Sequence, residues 1–270
     1  MIEPIVSSHW LQTNYVKASV CEVRPGGRDS WVGYLDGHLP GAAFVDLDAV
    51  LSGPPAPVAG RHPLPDPTQF AKSLGAMGIG DEATVVAYDD MGGAYASRLV
   101  WMLRVLGQPA ALLDGGRRAW KGVIERGQVD IDPVDRTVVP WPNEAIADAD
   151  AVVAHIAAGG AVIDSRAPER YRGETEPLDK AAGHIPGAIN LPFADNLDGS
   201  GRFLSADQLA ERFSPISDPS PIVYCGSGVT ACHNALAIES TGLPLPRLYV
   251  GSWSGWSTED GRIIAVGNES

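Results

Sequence analysis

The chain of 270 residues is short of several things: it has 3 cysteines, 7% aromatic residues, and 20 Lys and Arg against 33 Asp and Glu. An odd, small number of cysteines argues against a disulfide framework and fits a reducing compartment, so a cytoplasmic protein is expected. A net charge of −13 lacks the basic face that nucleic acid requires, while leaving room for a local basic pocket for a small anion. No run of 18 apolar residues occurs, and the opening Met1-Ile2-Glu3-Pro4-Ile5-Val6 lacks a basic segment followed by an apolar stretch. Neither a membrane partner nor a secretory signal is therefore expected. The 3 cysteines and 6 histidines show no paired metal-ligand spacing, and no glycine-rich dinucleotide or phosphate-loop signature is present, so no metal and no cofactor are expected. What is present, 44% hydrophobic and 20% charged residues, describes a globular protein long enough for two ordinary domains or one large one.

The chain repeats itself. His38-Leu39-Pro40-Gly41-Ala42 recurs as His184-Ile185-Pro186-Gly187-Ala188, and Val85-Val86-Ala87-Tyr88-Asp89 parallels Pro221-Ile222-Val223-Tyr224-Cys225. Leu112-Leu113-Asp114-Gly115-Gly116 parallels Tyr249-Val250-Gly251-Ser252-Trp253. Tyr88 and Tyr224 are 136 residues apart, as are Trp120 and Trp256; the histidines are 146 apart, so the first half carries ten extra residues between its first two motifs. Ordered recurrence at a common offset implies a duplicated domain, with repeats over 1–140 and 147–270 and a boundary near Pro140-Trp141-Pro142-Asn143.

Within each half, short β-branched runs alternate with amphipathic stretches. Thr84–Tyr88, Ala110–Leu113, Ala161–Asp164, Ile222–Tyr224 and Arg247–Val250 read as buried strands. Ala94–Leu106, Asp148–Ala158 and Ala231–Ser240 read as helices, each ended near a glycine. The alternation predicts an α/β fold with a mainly parallel sheet flanked by helices in each half.

One cysteine stands out. In Ile222-Val223-Tyr224-Cys225-Gly226-Ser227-Gly228-Val229-Thr230-Ala231, a thiol closes an apolar strand and a glycine-rich loop leads into a helix. A cysteine at a strand end can be no more than a small buried hydrophobe. Here the glycines let the backbone curl around the sulfur with its amides inward, and the helix dipole favours an anion, which suits a sulfur nucleophile or carrier. A parallel sheet also places its ligands beyond the carboxyl ends of its strands, where Cys225 falls.

Taken together, Asp164-Ser165-Arg166, Arg170-Tyr171-Arg172-Gly173, Gly183-His184-Ile185-Pro186-Gly187-Ala188, the Tyr224–Ala231 run and Gly251-Ser252-Trp253 resemble the rhodanese superfamily, in particular its two-domain sulfurtransferases. The resemblance covers essentially the whole chain in order. It implies tandem rhodanese-like domains, the second catalytic and the first inactive, with Asp89 where the first repeat would carry the cysteine. It implies transfer of a sulfane sulfur through a Cys225 persulfide to a thiol acceptor, such as a thioredoxin-like protein, or to cyanide. The loop Cys-Gly-Ser-Gly-Val-Thr resembles that of the members using 3-mercaptopyruvate. Those using thiosulfate usually carry Arg and Lys where this chain has Gly226 and Ser227. A compact dianion gains from such cations, whereas an α-keto carboxylate needs a positioned guanidinium and neutral donors.

By the same resemblance, Arg170 binds the donor carboxylate, and Ser227, His62 and Asp48 form a hydroxyl–imidazole–carboxylate relay toward the leaving enolate. The amides of Gly226, Gly228, Val229 and Thr230 hold the persulfide. The second arginine expected a few residues after Arg170 is absent from Glu174–Lys180, and Arg172 or Lys180 is the expected substitute. Bland alternatives stay open: Arg170 in a surface ion pair, His62 as a cap of its proline-rich loop. Asp164 and Arg166 are expected as a structural pair, His38 and His184 as turn residues, Cys232 as core, and Trp253 and Trp256 as packing; Cys21 carries no motif. Three functions compete: a sulfurtransferase using mercaptopyruvate or thiosulfate, a non-catalytic binding module, and a cysteine phosphatase. The last requires an arginine six residues after the cysteine, where this chain has Ala231.

Overall fold

The computed structural model describes residues 2–268; Met1, Glu269 and Ser270, the outer ends of the two expected repeats, lie outside the described residues. The chain forms two compact units. The first comprises the residues up to Gly53, Leu64–Pro142 and Gly199–Arg202. The second comprises Pro54–Pro63, Asn143–Asp198 and the chain from Phe203 onward. By chain order the loop Pro54–Pro63 lies in the first repeat; by its contacts it groups with the second unit.

The first unit holds β1 (Ile5–Val6), β2 (Ala18–Arg24), β3 (Ala43–Asp46), β4 (Thr84–Tyr88) and β5 (Ala110–Leu113). The second holds β6 (Ile146–Ala147), β7 (Val162–Asp164), β8 (Ile189–Asn190), β9 (Ile222–Tyr224) and β10 (Arg247–Tyr249). The sheet orders are β1-β5-β4-β2-β3 and β6-β10-β9-β7-β8, and each adjacent pair is parallel. Matched strands take matched places, so the duplication read in the sequence is a duplication of topology, and the chain has the expected tandem α/β architecture.

The central strands β4 and β9 are buried on both faces, as continuous apolar runs require when helices cover a parallel sheet. Val86 and Tyr88 join Leu11, Val20 and Ala111 in one core; Ile222 and Tyr224 join Val152, Val162 and Trp253 in the other. The helix expected over Ala94–Leu106 starts two residues later, at Ala96, because the amides of Tyr95 and Ala96 turn instead onto the Asp89 carboxylate. Gly107 and Gly242, at φ +81° and +87°, end their helices in the left-handed region. No helix among the described residues is long and apolar enough to cross a membrane.

Candidate active site

The short strand β9 delivers Cys225 to the carboxyl edge of the second sheet. The loop then turns at Gly228 (φ +78°) and enters the helix Ala231–Glu239. That turn brings the Gly228 N–H to 3.1 Å from Cys225 Sγ, and the thiol is 2% exposed. The carbonyls of Val229 and Thr230 accept the amides of Cys232 and His233 and so open the helix. The turn Gly251–Ser254 holds the loop from the far side. Ser252 Oγ accepts the Cys225 N–H (3.3 Å) and donates to Tyr249 O (2.9 Å), while the Trp253 and Ser254 amides donate to the carbonyls of Cys225 and Gly226. Ser252 does this at φ +51°, a conformation costly for a residue with a side chain and kept here in a fully buried position.

Two guanidinium groups converge on Gly226. A Cβ built there would stand 3.0 Å from Arg61 Nη2 and 3.3 Å from Arg170 Nη1, so glycine at 226 is what leaves them room. Arg61 was not anticipated from the sequence. It lies 164 residues before Cys225, in a Gly-Pro-rich loop that carries no strand or helix signal. The available clue was its place next to His62. Its amide donates to Ser254 Oγ (3.1 Å), and the loop fits against the Gly251–Gly255 turn only through glycines: a Cβ on Gly60 would be 2.5 Å from Gly251 O, and one on Gly255 2.4 Å from Val58 O. Burial lowers the pKa of the Arg61 guanidinium, Cys225 pulls it back up, and the like charge of Arg170 pushes it down.

The same loop places His62 Nδ1 2.8 Å from Ser227 Oγ. Beneath the site, Arg166 is buried: it bonds both Asp164 oxygens, reaches Glu176 and Gly183 O, and stacks over Trp253 at 4.6 Å. Burial pushes the Tyr224 phenol well above its ordinary value, with Asp164 adding to the rise. Glu176 anchors Arg170 through Nε (3.2 Å) and Nη2 (2.7 Å), and Asp179 takes Arg170 Nη2 (3.2 Å) together with Arg61 Nη1.

Cys225, Gly226, Ser227, Gly228, Arg170 and His62 are thus assembled in one place. Arg172 is not among them: its guanidinium is engaged by Glu174 (2.7 and 2.9 Å) on the surface. The arginine that stands beside Arg170 is Arg61, and Lys180 contributes to the rim of a cleft of about 330 Å³ also lined by Arg61, Asp179 and Ser254. Asp48 lies in the first unit, where its Oδ2 accepts the Gly26 N–H (3.1 Å). His38 and His184 are buried, donate Nδ1–H to the carbonyls of Tyr34 and Tyr171, and stack on those rings, which is the structural part expected of them. Cys232 is core, its Sγ on Gly228 O at 3.4 Å, and Cys21 is fully buried.

The chain is similar along most of its length to characterised families. The rhodanese-like domain model matches residues 8–122 and 148–259. A probable 3-mercaptopyruvate sulfurtransferase of Pseudomonas aeruginosa is 46% identical over 246 residues, which is 87% of this chain and 86% of that protein. A putative thiosulfate sulfurtransferase, SseB, of Mycobacterium tuberculosis is 39% identical over 88% of this chain and 87% of its own length. The crystal structure of the Escherichia coli 3-mercaptopyruvate sulfotransferase SseA superposes with a TM-score of 0.79 at 29% identity, covering 93% of this chain and 99% of that one. With two domain matches in the expected order, this chain belongs to the rhodanese family.

Proposed function

We propose that the protein is a sulfurtransferase that takes sulfur from 3-mercaptopyruvate onto Cys225 and passes it to a thiol. The observation that carries this reading is the pair of guanidinium groups converging on Gly226 beside a buried thiol, with a serine–histidine pair on the same loop. The names of the relatives support it.

The chemistry follows from the geometry. The donor carboxylate docks on Arg61 Nη2 and Arg170 Nη1, the guanidinium nitrogens beside Gly226 that no carboxylate among the described residues takes. This orients the donor sulfur toward Cys225 Sγ. The Cys225 thiolate attacks that sulfur, an S–S bond forms, and the C–S bond breaks with its electron pair going to carbon. The leaving group is the enolate of pyruvate. Ser227 Oγ, polarised by His62, donates a hydrogen bond to the developing enolate oxygen, and protonation at carbon completes pyruvate. The persulfide stays on Cys225, its outer sulfur facing loop amides. An acceptor thiolate then attacks the outer sulfur and returns Cys225 as thiolate, so the kinetics are ping-pong. The part given to Asp48 rests on the sequence resemblance alone. A thioredoxin-like dithiol fits the second step, and a reducing compartment such as the cytoplasm fits three cysteines that are free of disulfides.

The test is sulfur transfer to cyanide from 3-mercaptopyruvate and from thiosulfate, side by side, with wild type and Cys225→Ser. A large kcat/KM preference for mercaptopyruvate, abolished in the variant, is expected. A preference for thiosulfate would replace this reading with thiosulfate sulfurtransferase, the activity named for the mycobacterial relative. No transfer from either donor would leave a binding module.

A further inference from the structure

Asp179 occupies an unusual position for a carboxylate. Its side chain is 4% exposed, and its two oxygens are divided between the two guanidinium groups of the site: Oδ1 on Arg61 Nη1, Oδ2 on Arg170 Nη2. Glu176, its neighbour, is held differently. Glu176 receives the buried Arg166, Arg170, and the amides of Leu178 and Asp179, so it is tied into the frame of the unit. The Asp179 carboxylate binds the two partly exposed arginines through Arg61 Nη1 and Arg170 Nη2, and the latter would stand 3.4 Å from a Cβ at position 226, almost as near as Arg170 Nη1 at 3.3 Å. Arg61 Nη2 and Arg170 Nη1, which would stand 3.0 and 3.3 Å from that Cβ, have no hydrogen-bond partner among the described residues.

Resting on the function proposed above, we propose that Asp179 sets the charge of the donor this site accepts. Two guanidinium groups beside a thiolate would by themselves attract a dianion strongly. Arg61, Arg166 and Arg170 stand against Asp164 and Glu176, so Asp179 removes the one remaining positive charge of the cluster, and it stays in place because Arg61 Nη2 and Arg170 Nη1 are open to a ligand without displacing it. A monoanionic α-keto carboxylate then binds through the two open guanidinium N–H groups, with a single charge exposed to Asp179. A dianion such as thiosulfate meets the repulsion of Asp179 with both of its charges. The carboxylate is thus a specificity-determining residue, acting through Arg61 and Arg170 and not on the reacting atoms.

The experiment uses Asp179→Asn, which keeps the shape and removes the charge. Its kcat/KM for thiosulfate should rise about tenfold while that for mercaptopyruvate changes less than about threefold, as expected when a like charge is removed from a partly buried anion site. Asp179→Glu, which restores the charge, should return the donor ratio toward wild type. Calorimetry on the Cys225→Ser protein supplies a readout without turnover: sulfate, a dianion with no sulfur to give, should bind about tenfold tighter when Asp179→Asn is added, and pyruvate about equally. A parallel fall for both donors would make Asp179 only a prop for the arginines and overturn the proposal. Unchanged sulfate binding would overturn it as well. If wild type transferred sulfur from neither donor, the sulfurtransferase reading would fail while the sulfate and pyruvate measurements still decided the role of Asp179.

Discussion

The two units share a frame and differ in what fills it. In each, a buried carboxylate on a strand holds an arginine two residues on: Glu22 with Arg24, Asp164 with Arg166. In each, a tyrosine at the end of the central strand accompanies that carboxylate and accepts the amide of the residue after the buried histidine: Tyr88 from Leu39, Tyr224 from Ile185. At the next residue the units part. In the first, Asp89 fills the loop, its two oxygens accepting four amides, from Met91, Gly93, Tyr95 and Ala96, at 2.7–2.8 Å. Burial pushes this carboxyl above its ordinary value and the amides pull against the rise. In the second, Cys225 occupies the same place. One position further, Asp90 pairs with Arg117 at 2.8 Å and lies 3.7 Å from Arg24, whereas Gly226 leaves two guanidinium edges open. The first unit has supplied its own anion twice, once in the loop and once on the arginines. The second has a thiol at the first of these positions and no side chain at the other. A repeat that lacks the cysteine therefore need not be an eroded one: in the first unit the loop amides and Arg117 are satisfied from within.

That comparison can be broken at four points. The largest effect belongs to the thiol. Cys225→Ser should lower sulfur transfer by at least about a thousandfold, whereas Asp89→Cys should add none, because Asp90 still holds the arginines; mass spectrometry should find a persulfide on Cys225 alone. Next comes the filled loop. Asp89→Ala strands four amides and should destabilise the first unit by about 3 kcal/mol, seen as a thermal transition lowered by about 10 °C, while Cys225→Ala, with one amide on Sγ, should cost about 1 kcal/mol. His62→Ala should lower kcat for mercaptopyruvate by a factor of about 10 to 100 with a smaller change in KM, since polarisation of an enolate is felt in the transition state. A KM effect alone would reassign His62 to holding its loop. The smallest is Gly226→Ala, whose methyl would meet Arg61 Nη2 and Arg170 Nη1 and should raise KM by about tenfold; Arg61→Ala should do the same without the steric cause, and an unchanged KM in both would remove the guanidinium pair from donor binding.

Strands β4, β5 and β9 were legible residue for residue, because continuous apolar runs bounded by turn residues leave no other reading. Strand β2 was not: Ala18–Arg24 places Glu22 in the interior, which only the Tyr88 hydroxyl and Arg24 make tolerable. Strands β1, β6 and β8, of two residues each, are too short to show any period. In the site, the Cys225 loop was legible because glycine and strand-end chemistry are local. The second guanidinium was sought nearby in sequence, at Arg172, whose neighbour Glu174 takes it to the surface.

The sequence by itself determined the duplication, the α/β class of each half and the thiol proposed as nucleophile. All three are written in local patterns: offsets, hydrophobic period, and a thiol between a strand and a glycine loop. Only the tertiary structure decided which charged groups surround that thiol. Arg61 arrives there from a loop far back in the chain, Arg172 is engaged by Glu174 on the surface, and Asp179 is seated between two guanidinium groups. Such pairings depend on distances of a few ångströms between residues distant in sequence, and ionic side chains carry no periodic signal that would report them in advance.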